Sequence, residues 1–251
     1  MEEKLKSQLK YLASKYETAD FILSDPVQFA HRYKNPDDIE TGSFIAAMLS
    51  FGSRKQFIPK IREILEMADK TGGIAFWLKS GGYKEFHSPD GNDEKKFYRF
   101  YSYSDMQVFF MALEKILELG GLGFVLKKRF LSGEKITDVI SFLFRDCKIV
   151  PKGKNSTNKR VHMFLRWMVR TDSPVDIGIW NWISPSDLII PLDTHVIQES
   201  IKLSLVPENT KPSIKTAEKI TEVLKKIWPE DPCKGDFALF GFGVDKEADG
   251  V

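Results

Sequence analysis

Apolar residues in this 251-residue chain recur mainly at intervals of three and four positions. The pattern is clear at Phe44, Ala47, Met48 and Phe51, and this spacing places apolar side chains on one face of an α-helix. No stretch alternates clearly enough to predict a β-strand, so we expect an all-α fold. The sequence predicts helices over the approximate ranges 4–16, 41–51, 55–69, 104–119, 122–131, 135–145, 157–170, 194–204 and 213–227.

Hydrophobic residues make up 42% of the chain and charged residues 29%, which is typical of a globular protein and not of a disordered one. A chain of this length forms one large domain or two small lobes. We expect a single two-lobed unit over residues 1–251, with a central lobe at about 44–145. The other lobe takes residues 146–251 together with the N-terminal helix.

The first residues, MEEKLKSQLKYLASKYE, are charged throughout and lack the apolar core of a signal peptide. Because no apolar run reaches about 18 residues, we expect a cytoplasmic protein without a membrane partner. Two cysteines, Cys147 and Cys233, are too few for a disulfide framework or a four-cysteine metal site. No pair among the four histidines has metal-ligand spacing, so the sequence predicts no metal and no other cofactor.

Charge is concentrated between residues 145 and 170, where eight basic residues face one acidic residue. Such a run is either a solvated surface or an anion-binding surface. A small polar loop, Lys152 to Ser156, directly precedes a predicted helix, and the first amides and the dipole of a helix attract anions. This context favours binding of a phosphate backbone by the loop and the start of the helix.

Ser156 is predicted to be the N-cap of the helix that carries Lys159. Val161, Phe164 and Met168 define the buried face of this helix by their spacing. Lys159 then lies in the first turn, beside the main apolar stripe, where its amine can face a groove. A lysine at such a position is more commonly an ordinary surface residue, and this alternative stays open.

The apolar segment 188–192 leads to Asp193, after which another helix is predicted to begin. Aspartate is among the most frequent N-cap residues, so a purely structural role explains it. Its position after a buried run also allows it to lie near a lysine and to transfer a proton or stabilise a cation. Both interpretations stay open. The aromatic residues between 97 and 103 are expected to pack between helices.

Four segments resemble the helix-hairpin-helix DNA glycosylase superfamily, which includes endonuclease III and the 8-oxoguanine glycosylases. PLDTHV at 191–196 resembles its aspartate-bearing motif, and KRVHMFLRW at 159–167 resembles the lysine helix of the archaeal-type 8-oxoguanine glycosylases. FIAAMLSFGSRKQF at 44–57 is similar to a helix that ends in Leu-Ser before a polar turn. With DFALFGFG at 236–243, these segments resemble an uncharacterised bacterial family of this superfamily over nearly the whole chain.

The resemblance implies a two-lobed helical fold and base-excision repair of damaged duplex DNA by a monomer. Lys159 is expected to attack the sugar C1′ of a flipped nucleotide, expelling a damaged purine such as 8-oxoguanine. The resulting Schiff base permits strand cleavage, which is the associated lyase activity. Asp193 is expected to stabilise the developing sugar cation and to help activate Lys159. No metal or organic cofactor is expected in this chemistry.

Further residues are expected to line the DNA surface. The expected DNA contacts are Lys152, Gly153, Lys154, Asn155, Ser156, Arg160 and His195, and the expected base pocket is formed by Ser50, Arg54 and Trp167. The chain departs from the better-known enzymes in a degenerate hairpin, PKGKNSTNK, with one glycine, and in an insertion at 171–187. Two alternatives are a catalytically inactive helical DNA-binding protein and a helical protein-interaction domain.

Overall fold

The computed structural model describes residues 3–248, and the side chains of residues 3–243. Helix accounts for 60% of the chain and strand for 2%, which confirms a mostly helical fold. The α-helices are α1 (Glu3–Tyr16), α2 (Asp20–Ser24), α3 (Pro36–Leu49), α4 (Arg54–Asp69), α5 (Ile74–Lys79), α6 (Tyr103–Glu118), α7 (Leu122–Leu131), α8 (Ile136–Leu143), α9 (Lys159–Val169), α10 (Thr194–Lys202), α11 (Ile214–Lys225) and α12 (Lys234–Ala248). Short 3-10 helices lie at Pro26–Arg32, Gly82–Glu85 and Pro185–Asp187, and two strands, β1 (Lys96–Tyr98) and β2 (Tyr101–Ser102), pair antiparallel.

Local capping explains where the helix boundaries differ from the predicted ranges. Helix α3 begins at Pro36, well before the predicted start at 41, because Asn35 caps it. The Asn35 Oδ1 accepts a hydrogen bond from the Asp37 amide at 2.9 Å, and proline fits the first helical position. Helices α2, α5 and α12 were not predicted: the first two are short, and glycines interrupt the apolar pattern of α12.

The chain divides into two compact units. The first unit contains the residues up to Asp25 and those from Gly153 onward, and the second unit contains Pro26–Lys152. Helices α1, α2 and α9–α12 therefore belong to the first unit, and α3–α8 with the two strands belong to the second.

In the first unit, α12 packs along α1 and also contacts α10. The approach to α1 requires glycine, since a Cβ at Gly241 would lie 2.1 Å from the Tyr16 ring. The apolar segment that leads to Asp193 joins this core, with Ile190 and Leu192 fully buried. Burial of apolar surface stabilises a fold by about 25 cal/mol per Å², so this segment is held firmly in the core. The position of Asp193, which follows the segment, is thereby fixed.

In the second unit, α3 is buried from Thr41 to Leu49 and forms the centre of an aromatic core. The Phe44 ring stacks on Phe144 with 4.8 Å between centroids, and Phe109 packs 6.0 Å from each of them. These rings come from α3, α6 and the end of α8, so the core ties the three helices together.

The two strands form a short hairpin directly before α6, an element that the sequence pattern did not predict. The buried aromatic residues around it are Phe97, Tyr98, Tyr101 and Tyr103. Phe100, at the turn, departs from the expected packing between helices because its side chain is 70% exposed. Its neighbour Arg99 has a left-handed backbone with φ of 50°. The aromatic cluster is therefore a core element with one outward-facing ring.

Candidate active site

Lys159 is the first residue of α9, in agreement with its predicted place in the first turn. The predicted N-cap is wrong by two residues, because Asn158 occupies that position with a left-handed backbone, φ 43°. The Asn158 side chain turns back to donate to the Gly153 carbonyl at 3.2 Å, and the Ser156 hydroxyl accepts from the Asn158 amide at 3.2 Å. Ser156 thus shapes the loop before the helix and does not cap the helix itself.

Asp193 is the N-cap of α10, where its Oδ1 accepts a hydrogen bond from the Val196 amide at 2.9 Å. Its second oxygen, Oδ2, accepts from the Lys159 Nζ at 2.6 Å. The structure therefore brings together two side chains that are 34 positions apart in the sequence. The Lys159 side chain is 39% exposed and that of Asp193 is 34% exposed, so both remain accessible from solvent.

The electrostatic environment keeps Asp193 ionised. Burial by itself raises the pKa of this carboxyl group, but the Lys159 ammonium, the hydrogen bonds from Lys159 and the Val196 amide, and His195 together lower it below its ordinary value. Asp236, at the start of α12, shows the opposite balance. Its burial raises the pKa even though Arg166 and Lys159 act to lower it. Two carboxyl groups that interact with Lys159 are thus shifted in opposite directions.

A buried network of ion pairs lies along the same helix. Arg166 pairs with Asp176 at 3.3 Å and with Asp236, and its guanidinium lies 4.6 Å from the centre of the Phe237 ring. Arg170, one turn further on, is fully buried and pairs with three carboxylates, those of Asp176, Asp231 and Glu17. These carboxylates supply the hydrogen-bond acceptors that a buried guanidinium requires.

The insertion 171–187 folds back on the end of α9. The amides of Ile177 and Gly178 donate to the Trp167 carbonyl, and the Trp180 amide donates to Met168 at 2.8 Å. These bonds satisfy carbonyl groups that a helix end otherwise leaves unpaired. Gly178 has φ of 66°, and a Cβ there would lie 2.6 Å from the Arg170 carbonyl oxygen. The insertion is therefore a specific cap for the lysine helix and also contributes Asp176 to the buried network.

The residues expected to contact DNA differ in their surroundings. Gly153, Lys154, Asn155 and Ser156 are exposed on the loop before α9, while Arg160 and His195 are partly buried. His195 lies against α12 at Gly243. The two residues are so close that a Cβ at Gly243 would lie only 2.4 Å from the His195 Nε2.

The predicted contact of Lys152 with a DNA phosphate is wrong. Lys152 belongs to the second unit, and its Nζ donates to the carbonyls of Phe144 at 2.8 Å, Arg145 at 3.2 Å and Cys147. All three ammonium protons therefore have acceptors at the end of α8, and burial lowers the pKa of Lys152. This arrangement is that of a structural lysine and leaves no donor for a phosphate.

The predicted place of Trp167 in a base pocket is also wrong. Its side chain is fully buried, so no face is available to stack on a base, and its Nε1 has no hydrogen-bond partner among the described residues. Ser50 is the C-cap of α3, where its hydroxyl donates to the Ala46 carbonyl at 2.7 Å, and Arg54 is exposed at the start of α4. Both belong to the second unit.

Sequence reasoning did not identify Asp176, Asp231 and Asp236 as partners of the helix arginines. The available signal was the pair of arginines, Arg166 and Arg170, on a helix whose neighbouring residues are almost all apolar. Buried arginines require carboxylate partners. Which carboxylates serve depends on contacts between distant residues, as Arg170 shows by pairing with Glu17, 153 positions away.

Comparison with known proteins assigns the chain to a family. A family described as "Protein of unknown function (DUF2400)" matches residues 25–245. The chain belongs to the DUF2400 family. This confirms the expected membership of an uncharacterised family, while the link of DUF2400 to the DNA glycosylases stays a prediction. No curated protein and no solved structure matches this DUF2400 chain.

Two further features of this DUF2400 protein concern metals and membranes. Within residues 3–248, no group of three or more histidine, cysteine, aspartate or glutamate side chains is arranged to hold a metal ion. In the same part of the chain, each helix is too short or too polar to cross a membrane.

Proposed function

We propose that this DUF2400 protein is a DNA glycosylase with lyase activity that removes a damaged purine, such as 8-oxoguanine, through a Schiff base on Lys159. The observation that carries the proposal is the contact of Lys159 Nζ with Asp193 Oδ2 at 2.6 Å in a solvent-accessible position. A lysine nucleophile needs a neighbouring group that takes its proton, and the geometry meets this requirement.

The proposed reaction uses the ion pair in two ways. Lys159 first gives one proton to Asp193 and attacks C1′, so that the N–C1′ bond forms while the bond to the base breaks. Because the pKa of Asp193 is lowered, this group readily returns the proton to the departing base and becomes a carboxylate again. The nitrogen then gives up a proton that O4′ takes up as the C1′–O4′ bond breaks, and the opened sugar is an iminium ion whose positive charge the carboxylate stabilises. Transfer of a C2′ proton to water and departure of the 3′ phosphate then cleave the strand.

The loop before α9 is the proposed contact for the DNA backbone. Lys154 and Asn155 are exposed there, and α9 begins at Lys159, where the Val161 and His162 amides donate to the Asn158 carbonyl. The N-terminus of a helix and a nearby cation favour binding of a phosphate group. Lys152 is not part of this contact, because its protons are bound by carbonyl groups.

Borohydride trapping tests the proposal. We expect reduction of a mixture with abasic-site duplex DNA to give a covalent adduct, and we expect Lys159→Gln to abolish it while DNA binding changes less than tenfold. Lys225→Gln is the matched control, because Lys225 has similar exposure, 34%, and also pairs with a carboxylate. An adduct that persists in Lys159→Gln would disprove the role of this lysine. Binding without an adduct in the wild type would indicate the inactive DNA-binding protein instead.

The same proposal gives Asp193 a distinct kinetic signature. We expect Asp193→Asn to slow adduct formation by about two to four orders of magnitude, as for loss of a general base, with little change in DNA affinity. Asparagine still caps a helix, so α10 remains formed. Single-turnover trapping at saturating protein measures the rate, and an unchanged rate would remove Asp193 from the mechanism.

A further inference from the structure

The turn of the β1–β2 hairpin presents an aromatic ring and a cation together. The Phe100 ring lies nearly parallel to that of Phe51, with 13° between the planes and 6.4 Å between centroids. The Arg99 guanidinium lies 5.6 Å from the centre of each ring, within cation–π distance of both. Phe51 is fixed from behind by edge contacts with Tyr98 at 5.0 Å and Tyr101 at 5.2 Å. The outer surface of this group is the exposed Phe100.

The backbone of the turn is strained at Arg99. An arginine at φ of 50° occupies the left-handed region that glycine and asparagine adopt far more readily. Opposite it, Gly52 has φ of 83°, and a Cβ there would lie 2.3 Å from the Arg99 Nη1. The turn therefore has an arginine in an unfavourable backbone conformation at its tip, and a glycine, Gly52, packs against that arginine. The absence of a Cβ at Gly52 leaves room for the Arg99 guanidinium at this position.

Arg99 has no carboxylate partner among the described residues. Its guanidinium lies near the two aromatic rings and close to Gly52. The adjoining segments 51–57 and 95–103 contain five basic residues and no acidic one, and one of the five, Lys95, pairs with Asp90 at 2.9 Å. The guanidinium donors are therefore available to an anion from outside the chain, and the local charge complements a phosphate group.

We propose that Arg99 and Phe100 form a nucleobase-stacking site for DNA, in which the Phe100 ring stacks on an unstacked base and Arg99 binds an adjacent phosphate. This inference rests on the proposed function, and it assigns a DNA contact to the second unit. Every base offers a flat π-face to an aromatic side chain, and arginine adds both charge and a planar donor group. A lone exposed ring beside a cation suits a base better than it suits an apolar protein surface.

A second exposed pair in the same unit provides the matched control. Phe142 on α8 is 57% exposed, and the Arg145 guanidinium lies 4.8 Å from its ring centre. Among the described residues, no second ring lies parallel to Phe142, and Arg145 has no positive φ. If exposure of a phenylalanine and a cation were sufficient, Phe142→Ala and Phe100→Ala would weaken DNA binding equally.

Photochemical cross-linking and salt-dependent binding test the site. The probe is a duplex with a tetrahydrofuran abasic-site analogue and 5-iodouracil at the opposite position, since this base cross-links to an aromatic ring stacked on it. We expect the adduct to map to Phe100 by mass spectrometry and to be lost in Phe100→Ala. The Kd of Phe100→Ala should be about tenfold weaker, with Phe142→Ala unchanged and Phe100→Trp restoring affinity.

Arg99→Asn separates the phosphate contact from stacking, because asparagine tolerates the left-handed backbone. We expect the slope of log Kd against log salt to fall by about one in Arg99→Asn and to stay constant in Phe100→Ala. Equal binding by the wild type and Phe100→Ala, or an adduct at another residue, overturns this inference while Lys159 trapping still stands. A wild type that binds no DNA overturns both proposals. A wild-type dimer that Phe100→Ala dissociates identifies a contact between copies instead, and also overturns it.

Discussion

Helix α9 carries ion pairs of two kinds at its two ends. At the start, Lys159 and Asp193 are 39% and 34% exposed and make one hydrogen bond to each other at 2.6 Å. At the end, Arg170 and Asp176 are fully buried and are held by further charged groups. The two pairs have similar chemistry and lie on one helix, but they differ in solvation.

This difference separates a pair that can react from a pair that only supports the fold. A buried charge loses its hydration, so each member of the inner network must be paired, and removal of one leaves the others uncompensated. The outer pair keeps part of its hydration and contributes little to stability. Lys159 and Asp193 can therefore change protonation or partner during a reaction without loss of the fold.

The largest expected effect is at the buried end. We expect Asp176→Ala to lower the free energy of unfolding by about 3–5 kcal/mol, because it leaves the charges of Arg166 and Arg170 buried without this partner. Urea denaturation followed by far-ultraviolet circular dichroism measures the change. Asp172→Ala is the control in the same insertion, since its carboxylate is almost fully exposed and pairs with Lys234 at 3.4 Å. We expect Asp172→Ala to lower the free energy of unfolding by less than about 1 kcal/mol. Equal losses in the two variants would contradict the distinction between buried and exposed ion pairs.

The next effect comes from His162, which is buried on the same helix without a hydrogen-bond partner among the described residues for either ring nitrogen. Burial lowers its pKa from 6.5 to about 4. The unfolded chain therefore takes up a proton first as the pH falls below about 6.5, and stability is lost until the pH reaches about 4.

His162→Leu removes this titration and keeps an apolar side chain of similar size. The substitution changes the free energy of unfolding, and we expect this change to be more favourable at pH 5 than at pH 8 by about 2 kcal/mol. Urea denaturation of both proteins at the two pH values gives this difference. A substitution effect that is the same at pH 5 and pH 8 would show that His162 does not titrate as inferred.

At the exposed end, we expect Lys159→Gln to change the free energy of unfolding by less than about 1 kcal/mol. Glutamine keeps a hydrogen-bond donor for Asp193, and both side chains retain access to water. Thermal or urea unfolding of this variant sharpens the contrast with Asp176→Ala. A loss comparable to that of Asp176→Ala would place Lys159 in the structural network and weaken its proposed role in catalysis.

The smallest effect is expected for Asp193→Asn, and it should depend on pH. The folded-state pKa of Asp193 is lowered, so its charge stabilises the fold above the unfolded-state pKa of about 3.8 and ceases to do so as the pH falls through the folded-state value. The stability difference between wild type and variant should therefore be constant from pH 7 to about 5 and should shrink below about 3.8. A difference that grows in acid would contradict the lowered pKa.

Periodicity predicted the long amphipathic helices because each has a strong apolar stripe, as α4 and α11 show. It failed for the β1–β2 hairpin, whose strands contain three and two residues and depend on packing against Phe51. It also failed for α12, where Gly235, Gly241 and Gly243 serve close approach to neighbouring side chains. Short elements and glycine contacts are set by tertiary packing, which local spacing does not record.

At the candidate site, local patterns predicted that Lys159 begins a helix and that Asp193 caps another, since capping depends on a few adjacent residues. The same patterns misassigned Lys152 and Trp167, because neither the carbonyl groups around an ammonium nor the burial of an indole is visible in a linear segment. Exposure of Phe100 was equally hidden, since Tyr98 and Tyr101, the aromatic residues before and after it, are both buried.

The order of charges, caps and apolar stripes along the chain determined which residues begin and line the helices, because these depend on neighbours within one or two turns. Only the tertiary structure decided that Asp193 meets Lys159, that the insertion supplies Asp176 to Arg170, and that Phe100 faces outward. Those contacts join segments far apart in the sequence, and their energies depend on solvent exclusion, which exists only once the units have folded.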